Sequence, residues 1–92
     1  MIQSFKHKGL KRLFERNGRS RIGADILQRV ENILSALDAA DTPQALDLPG
    51  YRLHQLRGDR AGFWAIAVRA NWRIVFHYEN GDFYDVELVD YH

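Results

Sequence analysis

A chain of 92 residues with 46% hydrophobic content and a net charge of +1 is bounded to one globular domain, residues 1–92, with a modest core. No apolar run approaches the ~20 residues of a membrane span, and the basic N-terminus lacks the apolar stretch and cleavage site of a signal peptide. With no cysteine there is neither a disulfide framework nor thiolate chemistry, so a cytoplasmic protein without a membrane partner is expected.

The small net charge hides segregation. Residues 1–21 carry seven Lys/Arg against Glu15 alone, and residues 52–73 carry five Arg against Asp59 alone. Residues 22–51 sum to −4, and residues 74–92 hold five acids and no Lys or Arg. Two basic blocks in a nearly neutral chain point to a localised polyanion site, set against the uneven charge that small domains commonly carry.

In chain order, Ile2 to Phe5 reads as a short strand. Leu10, Leu13 and Phe14 then recur at helical spacing and stop at Asn17-Gly18. A second helix is predicted from Ala24 to Ala39, with Ile26, Val30, Ile33, Leu34 and Leu37 as one apolar stripe. Asp25 favours the dipole in its first turn and Thr42-Pro43 follows its end. Gln44 to Gly50 is a connector. From Tyr51 the period changes to two, and four strands follow: Tyr51–Leu56, Phe63–Val68, Trp72–Tyr78 and Phe83–Val89. The pattern is α+β, with two N-terminal helices packed on one face of a mostly antiparallel sheet of four to five strands.

Alternation sets which face each side chain joins. Trp64, Ile66 and Val68, then Trp72, Ile74, Phe76 and Tyr78, then Tyr84, Val86 and Leu88 share the core face if each hairpin has a three-residue loop. Those loops are Arg69-Ala70-Asn71 and Glu79-Asn80-Gly81, the latter a type I turn with Gly81 left-handed. A four-residue loop Gly58–Ala61 brings Tyr51 and Leu53 to the same face. The opposite face then carries Arg52, His54, Arg73, Val75, His77 and Tyr91 over small Ala65 and Ala67, with Arg69 and Asn71 at its rim. Asp90 is expected opposite Ala70, and strict alternation sends Asp90 and His92 to the core side unless the strand end bends.

His54, in LHQLRGDR, is the imidazole of that face; an imidazole with a reference pKa near ~6.5 serves as acid or base at neutral pH. The bland reading is a surface or hydrogen-bonded strand histidine. Arg57, Arg69 and Arg73 suit phosphate and the negative charge of a phosphorane, against cross-strand pairing with Asp59, Glu87 and Asp90. Lys6, Lys8, Lys11 and Arg12 read as a solvated helix face or a steering patch, with Lys6 and Lys8 as RNA-binding candidates. Tyr91 is placed to stack on a base, whereas Trp64 and Trp72 belong to the core stripe. His54, Asp90 and His92 match no metal-ligand spacing, and no phosphate loop, dinucleotide fingerprint or serine nucleophile is present, so no metal or cofactor is expected.

His54 in LHQLRGDR, the run GFWAIAVRANWRIVF, Asn80-Gly81-Asp82, the terminal Asp90-Tyr91-His92 and the opening IQSFKHKGLKRLF together resemble the HigB-type toxins of the RelE/ParE superfamily. That resemblance covers nearly the whole chain. It implies a RelE-like fold and a toxin that enters the A site of the bacterial ribosome's 30S subunit and cleaves mRNA there. It also implies a HigA-like antitoxin as partner and co-repressor. On it, His54, Asp90, Tyr91 and His92 are catalytic, and Arg73 and Asn71 handle phosphate and nucleotide. Two positions depart: members often have Pro where Gln55 stands and Lys where Arg57 stands, and Arg presents a planar fork rather than a point charge.

The expected chemistry is metal-independent transesterification. The ribose 2′-hydroxyl loses its proton and attacks phosphorus while an acid protonates the departing 5′-oxygen. Two rivals stand beside it: a non-catalytic gyrase poison of the ParE branch, and an RNA-binding or repressor accessory module.

Overall fold

The computed structural model describes residues 1–16 and 22–91, so the expected helix stop at Asn17-Gly18 and the terminal His92 lie outside the described residues. Two helices, α1 (Lys8–Arg16) and α2 (Ala24–Ala39), precede four strands, β1 (His54–Gln55), β2 (Phe63–Arg69), β3 (Trp72–Glu79) and β4 (Asp82–Asp90). Short 3-10 turns occupy Pro43–Leu46 and Gly58–Arg60. The sheet runs β1-β2-β3-β4 with every pair antiparallel. The N-terminal residues add parallel bridges on the free edge of β4, Ile2 to Phe83 and Phe5 to Val86, where a short strand was expected. No helix among the described residues is long and apolar enough to cross a membrane.

The stripe read from the sequence is the one α2 buries: Ile26, Val30, Ile33, Leu34 and Leu37. They meet Ile66, Val68, Ile74, Phe76, Phe83 and Val86 from one face of the sheet, with Leu10 and Leu13 closing the α1 side. Polar ties hold the layers in register. Arg29 on α2 donates to the carbonyls of Gly50 (2.7 Å) and Ala67 (3.2 Å) and lies over the Tyr51 ring. The Tyr78 hydroxyl donates to the Asp41 carbonyl at 2.8 Å, just beyond the end of α2. Helix α1 has no acid in its first turn and begins with Lys8, against the dipole. It is capped by His7, whose Nδ1 accepts the Leu10 N–H at 3.0 Å.

Register departs from strict alternation at four places. β1 and β2 pair as the four-residue loop requires, His54 opposite Ala65. Arg52, however, takes a left-handed φ of 50°, which cuts the first strand from its expected six residues to His54–Gln55. Between β2 and β3 the body pairs as expected, Ile66 opposite Ile74, but a bulge after Ala67 sets Arg69 opposite Trp72 and leaves Ala70-Asn71 as the turn. The second hairpin also turns in two residues rather than three. Asn80 (φ 49°) and Gly81 (φ 90°) have the two left-handed centres of a type I′ turn.

That tighter turn moves the pairing of β4 by one residue, and a bulge at Asp85 (φ 54°) moves it by another. Below the bulge the faces are therefore exchanged: Phe83 enters the core, and Tyr84, expected there, pairs with His77 on the other face. Above it parity returns, but Asp90 stands opposite Trp72 rather than Ala70. The N-terminal segment holds the bulge, since Asp85 N–H donates to Ser4 Oγ (2.9 Å) and Val86 N–H to the Ser4 carbonyl (3.1 Å).

Phe83 packs edge-on to Phe76 at 5.3 Å and against Tyr78. Phe83→Ala should cost about 3–5 kcal/mol of unfolding free energy, and Tyr84→Ala clearly less, as read by urea denaturation. The reverse order would contradict the bulged register.

Candidate active site

The helices cover one face of the sheet, and the chemistry collects on the other. Three rows run across that outer face. Phe63, His77 and Tyr84 make an aromatic row, His54, Ala65, Val75 and Glu87 a middle row, and Ala67, Arg73 and Val89 a row nearer the first hairpin. The middle row carries an imidazole at one end, a carboxylate at the other, and small or branched side chains between.

The Arg52 kink orients His54. With φ at 50°, Arg52 turns its carbonyl oxygen to within 2.9 Å of His54 Nδ1. A carbonyl only accepts, so Nδ1 must carry the proton and Nε2 is left as the exposed nitrogen that can take or give one. The contact thereby selects one neutral tautomer and leaves Nε2 as the one ring nitrogen open to proton transfer.

The arginines divide. Arg73 folds back, and its Nη1 donates to the carbonyls of Ala70 (2.7 Å) and Trp72 (2.9 Å). Both bonds use one nitrogen, which leaves Nε and Nη2 for a phosphate oxygen. Arg57, exposed ahead of the Gly58–Arg60 turn, has no side-chain partner among the described residues. Arg69, expected at the rim of this face, is turned to the helix side by the bulge and pairs with Asp25 at 3.5 Å. Both of its partners are exposed, so that contact contributes little.

At the other edge, Tyr91 N–H donates to the Asn71 carbonyl at 2.9 Å and carries the ladder one residue past β4. Alternation sets Tyr91, 38% exposed, on the outer face. Asp90, opposite Trp72, falls on the helix side, as strict alternation requires; the only bend in β4 lies upstream, at Asp85. His54 and Tyr91 are thus on opposite edge strands, roughly 14 Å apart across the sheet, and Tyr91 is offset by about 13 Å along β4 from Glu87 in the His54 row. Lys6 and Lys8 are exposed beside the β4 edge, and Lys8, Lys11, Arg12 and Glu15 line a shallow depression of about 250 Å³ on α1.

Sequence reasoning missed Arg60. Its guanidinium crosses the Phe63 ring, 5.1 Å from the centroid, and donates to Glu87 Oε1 at 2.8 Å. The signal was the second arginine of LHQLRGDR, read only as part of a basic block. Gly62 completes the loop: its φ is 91°, and a Cβ there would come within 3.2 Å of His77 Nε2. The acids of β4 are largely engaged, Asp82 with the N-terminal amine (3.6 Å), Asp85 with Ser4 and Glu87 with Arg60.

Known proteins are similar to this chain in sequence, and solved structures in fold. The chain is 50% identical, over the full length of both, to the Endoribonuclease HigB of Proteus vulgaris. It is 33% identical over 86 residues, 88% of this chain and 87% of the relative, to Toxin HigB-1 of Vibrio cholerae serotype O1. Among solved structures, a mutant YafQ from E. coli superposes with a TM-score of 0.64 at 14% identity, covering 98% of this chain and 91% of that one. The YoeB of Staphylococcus aureus superposes with a TM-score of 0.59 at 11% identity, covering 99% and 94%. At such identities the likeness is one of fold: helices on one face, an uncovered sheet on the other. The HigB-like toxin model, described as the RelE-like toxin of type II toxin-antitoxin system HigB, matches residues 3–92, and the chain belongs to that family.

Proposed function

We propose that this toxin is a single-domain, ribosome-dependent endoribonuclease that stops translation by cutting mRNA in the A site of the 30S subunit, without a metal. The observation that carries the reading is His54, held by the Arg52 carbonyl so that Nε2 faces outward on the uncovered side of the sheet. The full-length relative named an endoribonuclease supports it.

In this reading a phosphodiester lies along the uncovered face of the sheet, and groups from both edge strands contribute to the site. One imidazole, His54 or His92, removes the 2′-hydroxyl proton. The 2′-oxygen bonds to phosphorus, the bond to the 5′-oxygen breaks, and the other imidazole protonates that leaving group. Asp90, which must turn out from the helix side at the strand end to take part, orients an imidazole or is itself the base; Tyr91 stacks on or positions the nucleotide, and Asn71 contacts it. The free edge of Arg73 and the unpaired Arg57 stabilise the added negative charge of the phosphorane. Lys6 and Lys8 extend the anion path past the β4 edge and steer the toxin to ribosomal RNA. DNA lacks the nucleophile, so the chemistry itself selects RNA.

A type II toxin has an antitoxin partner; we assign it as HigA-like, and the site of action as the cytoplasm. A gyrase poison on the same fold is not favoured, because binding alone requires no imidazole held in one tautomer.

On programmed ribosomes, His54→Ala should lower the single-turnover cleavage rate by about 10²–10⁴-fold at an unchanged melting temperature. A wild-type rate would remove His54 from the mechanism. Long-range proton–nitrogen correlation spectra of the neutral imidazole should show the proton on Nδ1; a proton on Nε2 would contradict the Arg52 contact. Residues fused directly after His92 should reduce cleavage more than an N-terminal tag does, and equal activity would count against the tail as part of the site.

A further inference from the structure

Ala65 and Val75 lie on the face that no helix covers, yet both are 0% exposed and stand outside the main core cluster. Arg60 is the charged group that crosses this face. From the Gly58–Arg60 turn its side chain crosses Phe63 and ends on Glu87, the far end of the row that begins at His54. The span bridges β2 and β3 like a strap. Glu87 is only 17% exposed at its side chain, against 40% for Arg60, so the carboxylate is the sheltered partner and the guanidinium the one that meets solvent.

A carboxylate at the end of the middle row is an obstacle for a polyanion. Arg60 cancels it, and in doing so commits only one bond from Nη2 among five donors, leaving an edge for a second anion. Of the five arginines in the 52–73 block, Arg60 alone is held over the outer face by a side-chain partner on β4. Arg69 is bound to Asp25 on the other side, and Arg73 is folded onto its own hairpin.

We propose that Arg60 is a phosphate-positioning residue of the RNA site and that Glu87 is its holder. Glu87 keeps the guanidinium parked over the face and competes with the incoming phosphodiester for it. This deepens the RNA-cleaving reading above and rests on it. No covalent step is involved; one charge-assisted contact is shared with, or exchanged for, another. The pair makes the site selective for ligands that bring a phosphate to that position, because anything neutral leaves Arg60 on Glu87.

The test uses ribosomes programmed with a message whose A-site codon carries 2′-deoxynucleotides, so that binding is read without cleavage. Arg60→Ala should weaken binding by about ten- to a hundredfold. It should also lower the slope of log affinity against log salt by about 0.7, the loss of one phosphate contact on a single strand. Arg60→Lys should keep the slope while losing part of the affinity. Glu87→Gln keeps the size and an acceptor oxygen but removes the competing charge, so it should tighten binding severalfold.

A strap with a purely structural role would lower the melting temperatures of these variants and leave the salt slope where it was. Wild-type slope and affinity in Arg60→Ala would overturn the assignment, and binding in Glu87→Gln that is unchanged or weaker would overturn the competition. Cleavage of an all-ribose message by the wild type is read in parallel. If the wild type cuts and Arg60→Ala binds like it, the assignment of Arg60 alone fails. If the wild type does not cut, the nuclease reading fails, and a lowered slope in Arg60→Ala still establishes the phosphate contact.

Discussion

Two helices can cover only one face of a four-stranded sheet, and the rest of this molecule follows from which face they take. The α2 stripe of Ile26, Val30, Ile33, Leu34 and Leu37 is matched by Ile66, Val68, Ile74, Phe76 and Val86. Once those side chains are buried, alternation leaves His54, Arg73, His77 and Glu87 no other place than the uncovered side. The hydrophobic driving force therefore builds the chemical face indirectly, by using up the opposite one.

That face is refined by backbone breaks rather than by packing. Arg52, Ala70, Asn80 and Asp85 all have positive φ without being glycine, a conformation that L-residues adopt at a cost. Three of the four make a specific contact. The Arg52 carbonyl meets His54, the Asp85 N–H meets Ser4, and the Ala70 carbonyl meets Arg73. Strain of this kind persists where surrounding contacts over-determine it, and here it aims an imidazole, exchanges Phe83 for Tyr84, and turns Arg69 away.

Charge follows the same division. The acidic final strand would repel a nucleic acid if its carboxylates were bare. Asp82 lies against the N-terminal amine and Glu87 against Arg60, which compensates those two charges, while Asp85 is hydrogen-bonded to Ser4. The basic residues of α1 do the opposite. Lys8, Lys11 and Arg12 crowd a helix whose first turn has no acid, a layout that helix stability disfavours and polyanion steering favours.

Local periodicity carries its own three-dimensional consequence, and so the sequence by itself determined α2 and its stripe, the order of the four strands, the registers of β1 with β2 and of the body of β2 with β3, and the face on which His54 and Arg73 stand. A period of 3.6 or two needs no knowledge of the partner. What only the tertiary structure decided lies where a distant residue settles a local choice. Nothing in Asp85 marks a left-handed residue as glycine would, because the contact that holds it comes from Ser4, 81 positions away in sequence. The same holds for Arg60, whose place depends on a carboxylate 27 positions away on another strand. Arg69 likewise reaches Asp25 only after a bulge changes its side of the sheet. The periodic pattern shows which face is free, and long-range partners decide which charged groups are presented on it.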